Sequence, residues 1–126
     1  MVAPEMLTRK SGSIIIVSSI GGLRGTPIIG VYGITKAADI QMTRNLAREF
    51  GPGNVRINAI APGLVKTDFA RGLWENPENL KHSVAGACLG RIGEPHEIAG
   101  AAVFLASDAS SFMTGQVMVI DGGVVV

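Results

Sequence analysis

Short runs of apolar residues alternate with longer, helix-like segments along the chain. The segment at 11–19, SGSIIIVSS, is β-branched and continuously apolar, which is typical of a strand buried on both faces of a parallel sheet. Two later segments are NVRINAIAP at 54–62, which is ended by Pro62-Gly63, and GQVMVIDGG at 115–123, which ends in a glycine turn. We interpret these three segments as strands.

The segment at 30–50 has apolar residues at every third or fourth position, which predicts a helix ending before Gly51. We expect one stripe of this helix to pack on the sheet; it consists of Val31, Ile34, Ala38, Met42, Leu46 and Phe50. A second, partly apolar face contains Ala37, Ile40, Arg44 and Ala47. Two such faces exceed one core contact, so part of this helix is expected to meet another subunit.

A further helix is predicted at 93–107, with Pro95 in its first turn, Glu94 and Glu97 at its positive end, and a buried stripe. The segment at 66–84 is interpreted as short helices or a mobile flap. The resulting order is strand, helix, strand, helix, strand. This order predicts a single α/β domain over 1–126, with a parallel sheet and right-handed crossovers.

Composition and charge narrow the range of functions. Hydrophobic residues make up 47% of the chain, charged residues 17%, and the net charge is +1. A globular protein is therefore expected, with no nucleic-acid or membrane partner, because both need concentrated positive charge. Cys88 is the single cysteine, which favours a reducing, cytoplasmic location. His82 and His96 are isolated, and no metal site is predicted.

Tyr32 and Lys36 are four residues apart, so they share one face of the predicted helix. An ammonium group nearby lowers the pKa of a phenol, and such a phenol can exchange a proton with a carbonyl or alcohol oxygen. The alternative is a surface tyrosine with an incidental lysine. Ser19, at the end of the first predicted strand, supports the catalytic interpretation, because ligands bind at the carboxyl ends of parallel strands. Ser18 is the competing hydroxyl and is expected on the opposite side of the strand.

Four segments, in this order, resemble the short-chain dehydrogenases/reductases. GSIIIVSSIGG resembles the family's strand with the catalytic serine, and YGITKAA resembles its Y-x-x-x-K helix. NVRINAIAPGLVKTD resembles the strand and P-G-x-x-x-T segment, and RIGEPHEIAGAAVFLASDASSFMTGQVMVIDGG resembles the C-terminal helix, strand and D-G-G turn. The resemblance implies a partial Rossmann-like, doubly wound sheet. The chain would correspond to the C-terminal half of a subunit.

The resemblance also implies catalytic roles for three residues. Tyr32 would be the general acid/base in NAD(P)-dependent interconversion of a carbonyl and an alcohol. Lys36 would lower the pKa of Tyr32 and hold the ribose hydroxyls of the nicotinamide, and Ser19 would orient the substrate oxygen. The expected partners are a small carbonyl or alcohol substrate and further copies of the chain in a homo-oligomer.

The cofactor-binding residues implied by the resemblance are Tyr32, Lys36, Pro62, Gly63, Val65 and Thr67. The last four would fix the nicotinamide carboxamide of NAD or NADP. Two alternatives stay open: Pro62 as a plain strand terminator and Thr67 as a helix N-cap. Trp74 and Phe69 fall where the family has its variable substrate lid.

One motif of the family is missing from the sequence. Neither G-x-x-x-G-x-G nor G-x-G-x-x-G occurs, so no helix N-terminus is predicted to hold a pyrophosphate. The family's N-N-A-G segment is also missing. The alternative hypothesis is therefore a non-catalytic assembly module that binds no cofactor by itself.

Overall fold

A parallel sheet of three strands lies at the centre of the molecule. The computed structural model describes residues 2–26 and 28–126. The strands are β1 (Gly12–Val17), β2 (Val55–Pro62) and β3 (Val117–Ile120), and they are ordered β1-β2-β3 across the sheet. Both neighbouring pairs are parallel, as predicted.

The helices occur where the apolar spacing predicts them. The segment at 66–84 forms two short helices, and a further helix precedes the first strand. The helices are α1 (Ala3–Arg9), α2 (Gly30–Phe50), α3 (Arg71–Trp74), α4 (Pro77–Val84) and α5 (Pro95–Ala106). Short 3-10 turns follow β1, α2 and α5 at Ile20–Gly22, Gly51–Gly53 and Asp108–Ser110.

Helices cover both faces of the sheet. On one face, Ala47 of α2 forms the core with Val55 and Ile57 of β2, and residues of α1 pack against it. On the other face, the Ser13 hydroxyl of β1 donates to the carbonyl of Leu105 in α5, at 2.7 Å. Neighbouring residues of a strand point to opposite faces, so α2 and α5 lie on opposite sides. The sheet is therefore doubly wound, as the resemblance implied.

The two crossovers differ in hand. The chain moves in one direction across the sheet, from β1 to β2 to β3, but crosses by α2 on one face and α5 on the other. Only one of two such crossovers can be right-handed, so the expectation of two right-handed connections is wrong. The long segment at 63–94 between β2 and α5 allows the chain to reach the opposite face.

The stripe expected to face the sheet from α2 is mostly exposed. Val31, Ile34 and Met42 are 78%, 70% and 45% exposed, whereas Ile40 and Ala47 are buried. The prediction of the packed face was wrong at these positions. The sheet-facing side of α2 includes Thr43, which is polar and therefore does not belong to an apolar pattern. Thr43 is nevertheless buried, and its hydroxyl donates to the Asp39 carbonyl.

Strand β1 is half-buried, although its sequence predicts burial on both faces. Val17, at its end, is 60% exposed. Within residues 2–26 and 28–126, β1 pairs with β2 only, so its outer edge carries no partner strand. The sequence of β1 is therefore as apolar as that of a central strand, although β1 lies at the edge of this sheet.

A charged cap begins α5. The carboxylate of Glu97 accepts two hydrogen bonds from Arg91, at 2.8 and 2.7 Å, and one from the backbone N–H of Glu94. These bonds lower the pKa of Glu97 to about 2, and those from Arg91 have the largest effect. The cap therefore stabilises the fold above the ordinary pKa of 4.5, and this contribution is lost as the pH falls towards 2.

The described part of the chain has neither a helix suited to span a membrane nor a metal-binding cluster. None of its helices combines the length and apolarity needed to cross a membrane. It also contains no group of three or more His, Cys, Asp and Glu side chains arranged to hold a metal ion.

Candidate active site

Ser19 lies just beyond β1, at the carboxyl edge of the sheet. Its backbone is extended, and its side chain caps the Ile20–Gly22 turn by accepting the N–H of Gly21 at 3.1 Å. This bond uses a lone pair of the hydroxyl oxygen, so the hydroxyl hydrogen can be donated to another group. The turn thus fixes Ser19 while leaving it able to act as a donor.

Tyr32 lies in the first turn of α2, close to this 3-10 turn. A methyl group added at Gly21 would lie 3.4 Å from Cε1 of Tyr32 and 3.5 Å from Oγ of Ser19. The phenol ring and the serine hydroxyl therefore flank the same glycine. The fold brings together two residues that the sequence separates by the whole turn region.

The ammonium group of Lys36 lies beside the Tyr32 ring, with Nζ 5.7 Å from the ring centroid. Nζ donates to the carbonyl of Val17 at 3.1 Å and to the carboxylate of Asp39 at 3.0 Å. The side chain is only 23% exposed, so β1 and α2 together hold the charge near the phenol. Sequence reasoning missed Asp39, although its i, i+3 spacing from Lys36 was a usable signal.

Ser18 is buried behind the site. Its hydroxyl donates to the carbonyl of Lys36 at 2.8 Å, and its backbone N–H donates to Ile60 of β2, also at 2.8 Å. From the sequence, Ser18 was predicted only as the competing hydroxyl on the opposite side of the strand. The side chains of Ser18 and Ser19 do point in different directions. Ser18 joins the end of β1 to the turn of α2 that carries Lys36.

Glycines allow this close approach of the turn and α2. A Cβ atom on Gly22 would lie 2.6 Å from the carbonyl carbon of Lys36, and one on Gly33 would lie 2.9 Å from the carbonyl oxygen of Gly21. Both distances are too short for real side chains. The glycines in SSIGG and GVYGITK therefore allow two backbones to touch beside Tyr32.

The P-G-x-x-x-T segment begins at the same edge of the sheet. Val17 of β1 pairs with Ile60, so β2 ends next to β1, and Pro62 is its last residue. The N–H of Gly63 donates to the Ile120 carbonyl at 2.9 Å. This bond extends the contact of β2 with β3 one residue past Pro62 and uses the Gly63 N–H within the sheet.

Val65 and Thr67 follow in a segment that is held at both ends. Val65 forms a parallel bridge with Gly93. The Thr67 hydroxyl accepts the N–H of Ala70 at 3.4 Å and lies 3.5 Å from the Val65 carbonyl, which are long hydrogen bonds. Thr67 thus caps a turn only weakly, and its hydroxyl can bind a stronger partner.

The donor groups at this edge fit the nicotinamide end of a dinucleotide. An ammonium, a phenol and a hydroxyl, from Lys36, Tyr32 and Ser19, can bind ribose hydroxyls, a carboxamide and a substrate oxygen. The glycine turn that would hold the pyrophosphate does not occur in the sequence. The fit therefore concerns the nicotinamide end.

The family model described as enoyl-(acyl carrier protein) reductase matches residues 1–125. A dehydrogenase/reductase SDR family member 4 from Bos taurus is 45% identical over 122 residues, which are 97% of this chain and 44% of that protein. A 3-oxoacyl-(acyl-carrier-protein) reductase from Chlamydia trachomatis is 48% identical over 97% of this chain and 48% of its own length. The chain thus spans somewhat less than half the length of these relatives.

Solved structures agree with the sequence matches. A gluconate 5-dehydrogenase from Burkholderia cenocepacia, in complex with NADP and tartrate, superposes with a TM-score of 0.94 at 33% identity. That match covers 98% of this chain and 48% of the other. A 3-oxoacyl-(acyl-carrier protein) reductase from Brucella melitensis with bound NAD superposes with a TM-score of 0.87 at 37% identity, over 98% and 44% of the two chains.

Proposed function

The chain belongs to the short-chain dehydrogenase/reductase family, and on this basis we propose that it supplies the catalytic residues of an NAD(P)-dependent oxidoreductase that interconverts a carbonyl and an alcohol. The observation that carries the proposal is the gathering of Ser19, Tyr32 and Lys36 around Gly21 and Val17 at the carboxyl edge of the sheet. Three polar side chains from a strand end and one helix face meet there. The proposal covers both NAD and NADP.

Tyr32 is the proton-transferring group of this proposal. The Lys36 ammonium lies 5.7 Å from the centroid of its ring, and the phenol can give its proton to a substrate oxygen and take it back. Ser19 can donate its hydroxyl hydrogen to the same oxygen and so orient the substrate. The cofactor, when bound, supplies or accepts the hydride.

The cofactor-binding residues of the proposal lie along the strand ends. Lys36 offers ammonium donors to ribose hydroxyls, and Tyr32 stands one helical turn before it. The segment from Pro62 through Gly63 and Val65 to Thr67 offers backbone groups and one hydroxyl to the nicotinamide carboxamide. Phe69, which is 88% exposed, is the aromatic side chain of the neighbouring segment that is open to a substrate.

A second candidate function is assembly with further copies of the chain, without catalysis. The observation that favours it is the exposed apolar stripe of α2, which includes Val31, Ile34 and Met42. A surface stripe of this kind on one helix is typical of a helix that packs against a partner. With Cys88 as the single cysteine, we propose a cytoplasmic location for either function.

Cofactor binding by the purified chain separates the two functions. A ligand that binds only the native state raises its melting temperature, so NADH and NADPH are titrated and the unfolding transition is followed. Lys36→Met should abolish the stabilisation by cofactor, whereas Lys81→Met, an exposed change on α4, should leave it intact. Absence of stabilisation by either cofactor at millimolar concentration would refute independent catalysis and favour the assembly module.

Where binding is observed, turnover tests Tyr32 directly. General acid–base catalysis contributes roughly 100-fold to 10,000-fold to rates, so Tyr32→Phe should lower kcat by at least about 100-fold. The same variant should keep the cofactor-induced rise in melting temperature, because the ring remains in place. Unchanged turnover would remove Tyr32 from the proposed role.

A further inference from the structure

Trp74, the single tryptophan, is tied to the segment that carries Thr67. Its indole N–H donates to the Thr67 carbonyl, with 2.9 Å between Nε1 and oxygen. The backbone N–H of Ala70 donates to the same carbonyl at 3.1 Å. A carbonyl oxygen has two lone pairs, so both acceptor positions of Thr67 are used.

Lys66 strengthens this attachment from the other side. Its ammonium lies 5.6 Å from the centroid of the Trp74 ring, within the range of a cation–π contact. Its backbone N–H donates to the Gly93 carbonyl at 2.9 Å, and the Gly93 N–H donates in turn to Leu64. Lys66, the residue before Thr67, is thus fixed both to Gly93 and to Trp74.

The neighbouring aromatic residue behaves differently. Phe69 is 88% exposed, whereas Trp74 is half-buried and uses its polar atom in a hydrogen bond. The amide of Asn79 in α4 donates to the Gly72 carbonyl at 3.1 Å, so α3, which carries Trp74, is itself attached to α4. An aromatic ring without the N–H would fill the same space but leave the second lone pair of Thr67 unused.

We infer that Trp74 is a positioning residue that fixes the segment at 64–70, and with it the Thr67 hydroxyl, before any ligand binds. The inference rests on the proposed function for the role of that hydroxyl toward the nicotinamide. The attachment itself consists of contacts within the chain and needs no ligand. Trp74 thus belongs to the support of the cofactor segment, and Phe69 is the residue left for substrate contact.

Amide hydrogen exchange on the whole chain tests the attachment without a ligand. Loss of the hydrogen bond from the Trp74 indole to the Thr67 carbonyl should accelerate exchange of the Ala70 amide about five-fold in Trp74→Phe. Amides of β2 should keep their wild-type rates, and so should Ala70 in the matched variant Phe69→Leu. An unchanged Ala70 rate in Trp74→Phe would overturn the inference.

The wild-type chain supplies a second measurement, which needs no variant. Its single indole N–H gives one signal, and we expect that proton to exchange at least ten-fold more slowly than that of free indole. Exchange at the rate of free indole would overturn the inference even if Trp74→Phe failed to fold.

A ligand titration then separates the attachment from the proposed function. Nicotinamide mononucleotide should shift the Thr67 and Ala70 signals of the wild-type chain, with a several-fold higher half-saturating concentration in Trp74→Phe. ADP-ribose, which lacks the nicotinamide, should leave these signals unchanged. If nicotinamide mononucleotide leaves them unchanged too, the cofactor role of Thr67 fails, whereas the exchange rates alone decide the positioning role of Trp74.

Discussion

Two adjacent serines at the end of β1 serve different purposes. Ser19 faces the edge of the sheet where Tyr32 lies, and Ser18 is buried and donates to the carbonyl of Lys36. Neighbouring side chains in an extended backbone point to opposite sides, so one hydroxyl can support the site while the other takes part in it. Asp39 adds a second support, because it shares the Lys36 ammonium with the Val17 carbonyl.

Ser18→Ala is expected to affect both stability and cofactor binding. Removal of its hydrogen bond should lower the free energy of unfolding by about 1 kcal/mol, and the helix turn that carries Lys36 should lose one of its two hydrogen bonds to the end of β1. Ser13→Ala is the matched control, because Ser13 makes a similar bond to the Leu105 carbonyl away from the site.

Urea unfolding and cofactor-binding measurements on both variants check this expectation. Both variants should lose similar stability, and only Ser18→Ala should weaken cofactor binding. Equal binding by the two variants would show that Ser18 acts on stability alone.

At the scale of elements, α2 is positioned by contact between backbones. Gly22 of the 3-10 turn meets the Lys36 region of α2, and Gly33 of α2 meets the Gly21 carbonyl. This approach places the first two turns of the helix, and therefore Tyr32, directly against the end of β1.

Gly22→Ala is expected to push α2 away from the turn. Its Cβ would lie 2.6 Å from backbone carbon, which cannot move without the helix, so a loss of about 1–3 kcal/mol in unfolding free energy is expected. Gly25→Ala is the control, because no atom outside its immediate chain neighbours lies within 4 Å of the added Cβ. Chemical unfolding of both variants checks the difference, and equal stabilities would contradict the close contact.

At the scale of the whole molecule, apolar surface remains uncovered. The stripe of α2, the outer edge of β1 and exposed side chains such as Phe112 and Val103 lie outside the core. The chain spans somewhat less than half the length of the relatives that it matches. We expect these surfaces to associate with further protein, and a second copy of the chain is the proposed partner.

Met42→Lys is expected to weaken self-association. The substitution places a charge in the exposed stripe of α2, at a distance along the helix from Tyr32. We expect the dimer dissociation constant to rise about ten-fold, which corresponds to roughly 1.4 kcal/mol. Val2→Lys changes an equally apolar exposed residue near the chain start and is the control. Sedimentation velocity over a range of concentrations measures the effect, and a wild-type chain that stays monomeric throughout would contradict the expectation.

The strand and helix pattern could be predicted from local spacing because each element depends on short-range periodicity. The extents of α2, β2 and α5 follow from apolar repeats, Gly51, Pro62 and Pro95. Family membership also follows from the sequence, because its four segments are contiguous motifs. The buried face of α2 does not follow from the sequence. The polar residue Thr43 is buried with its hydroxyl satisfied by a local hydrogen bond, and the apolar residue Val31 is exposed.

Sequence by itself therefore determined the elements, the family and the residue types Ser19, Tyr32 and Lys36. Only the tertiary structure decided the positions of Ser18, Asp39 and Trp74, since their roles consist of contacts with the carbonyl of Lys36, its ammonium and the carbonyl of Thr67. The placement of α2 and α5 on opposite faces of the sheet was also determined by the tertiary structure. Hydrogen bonds to backbone groups and the face chosen by a crossover depend on which segments meet in space, and no periodicity along the chain encodes that meeting.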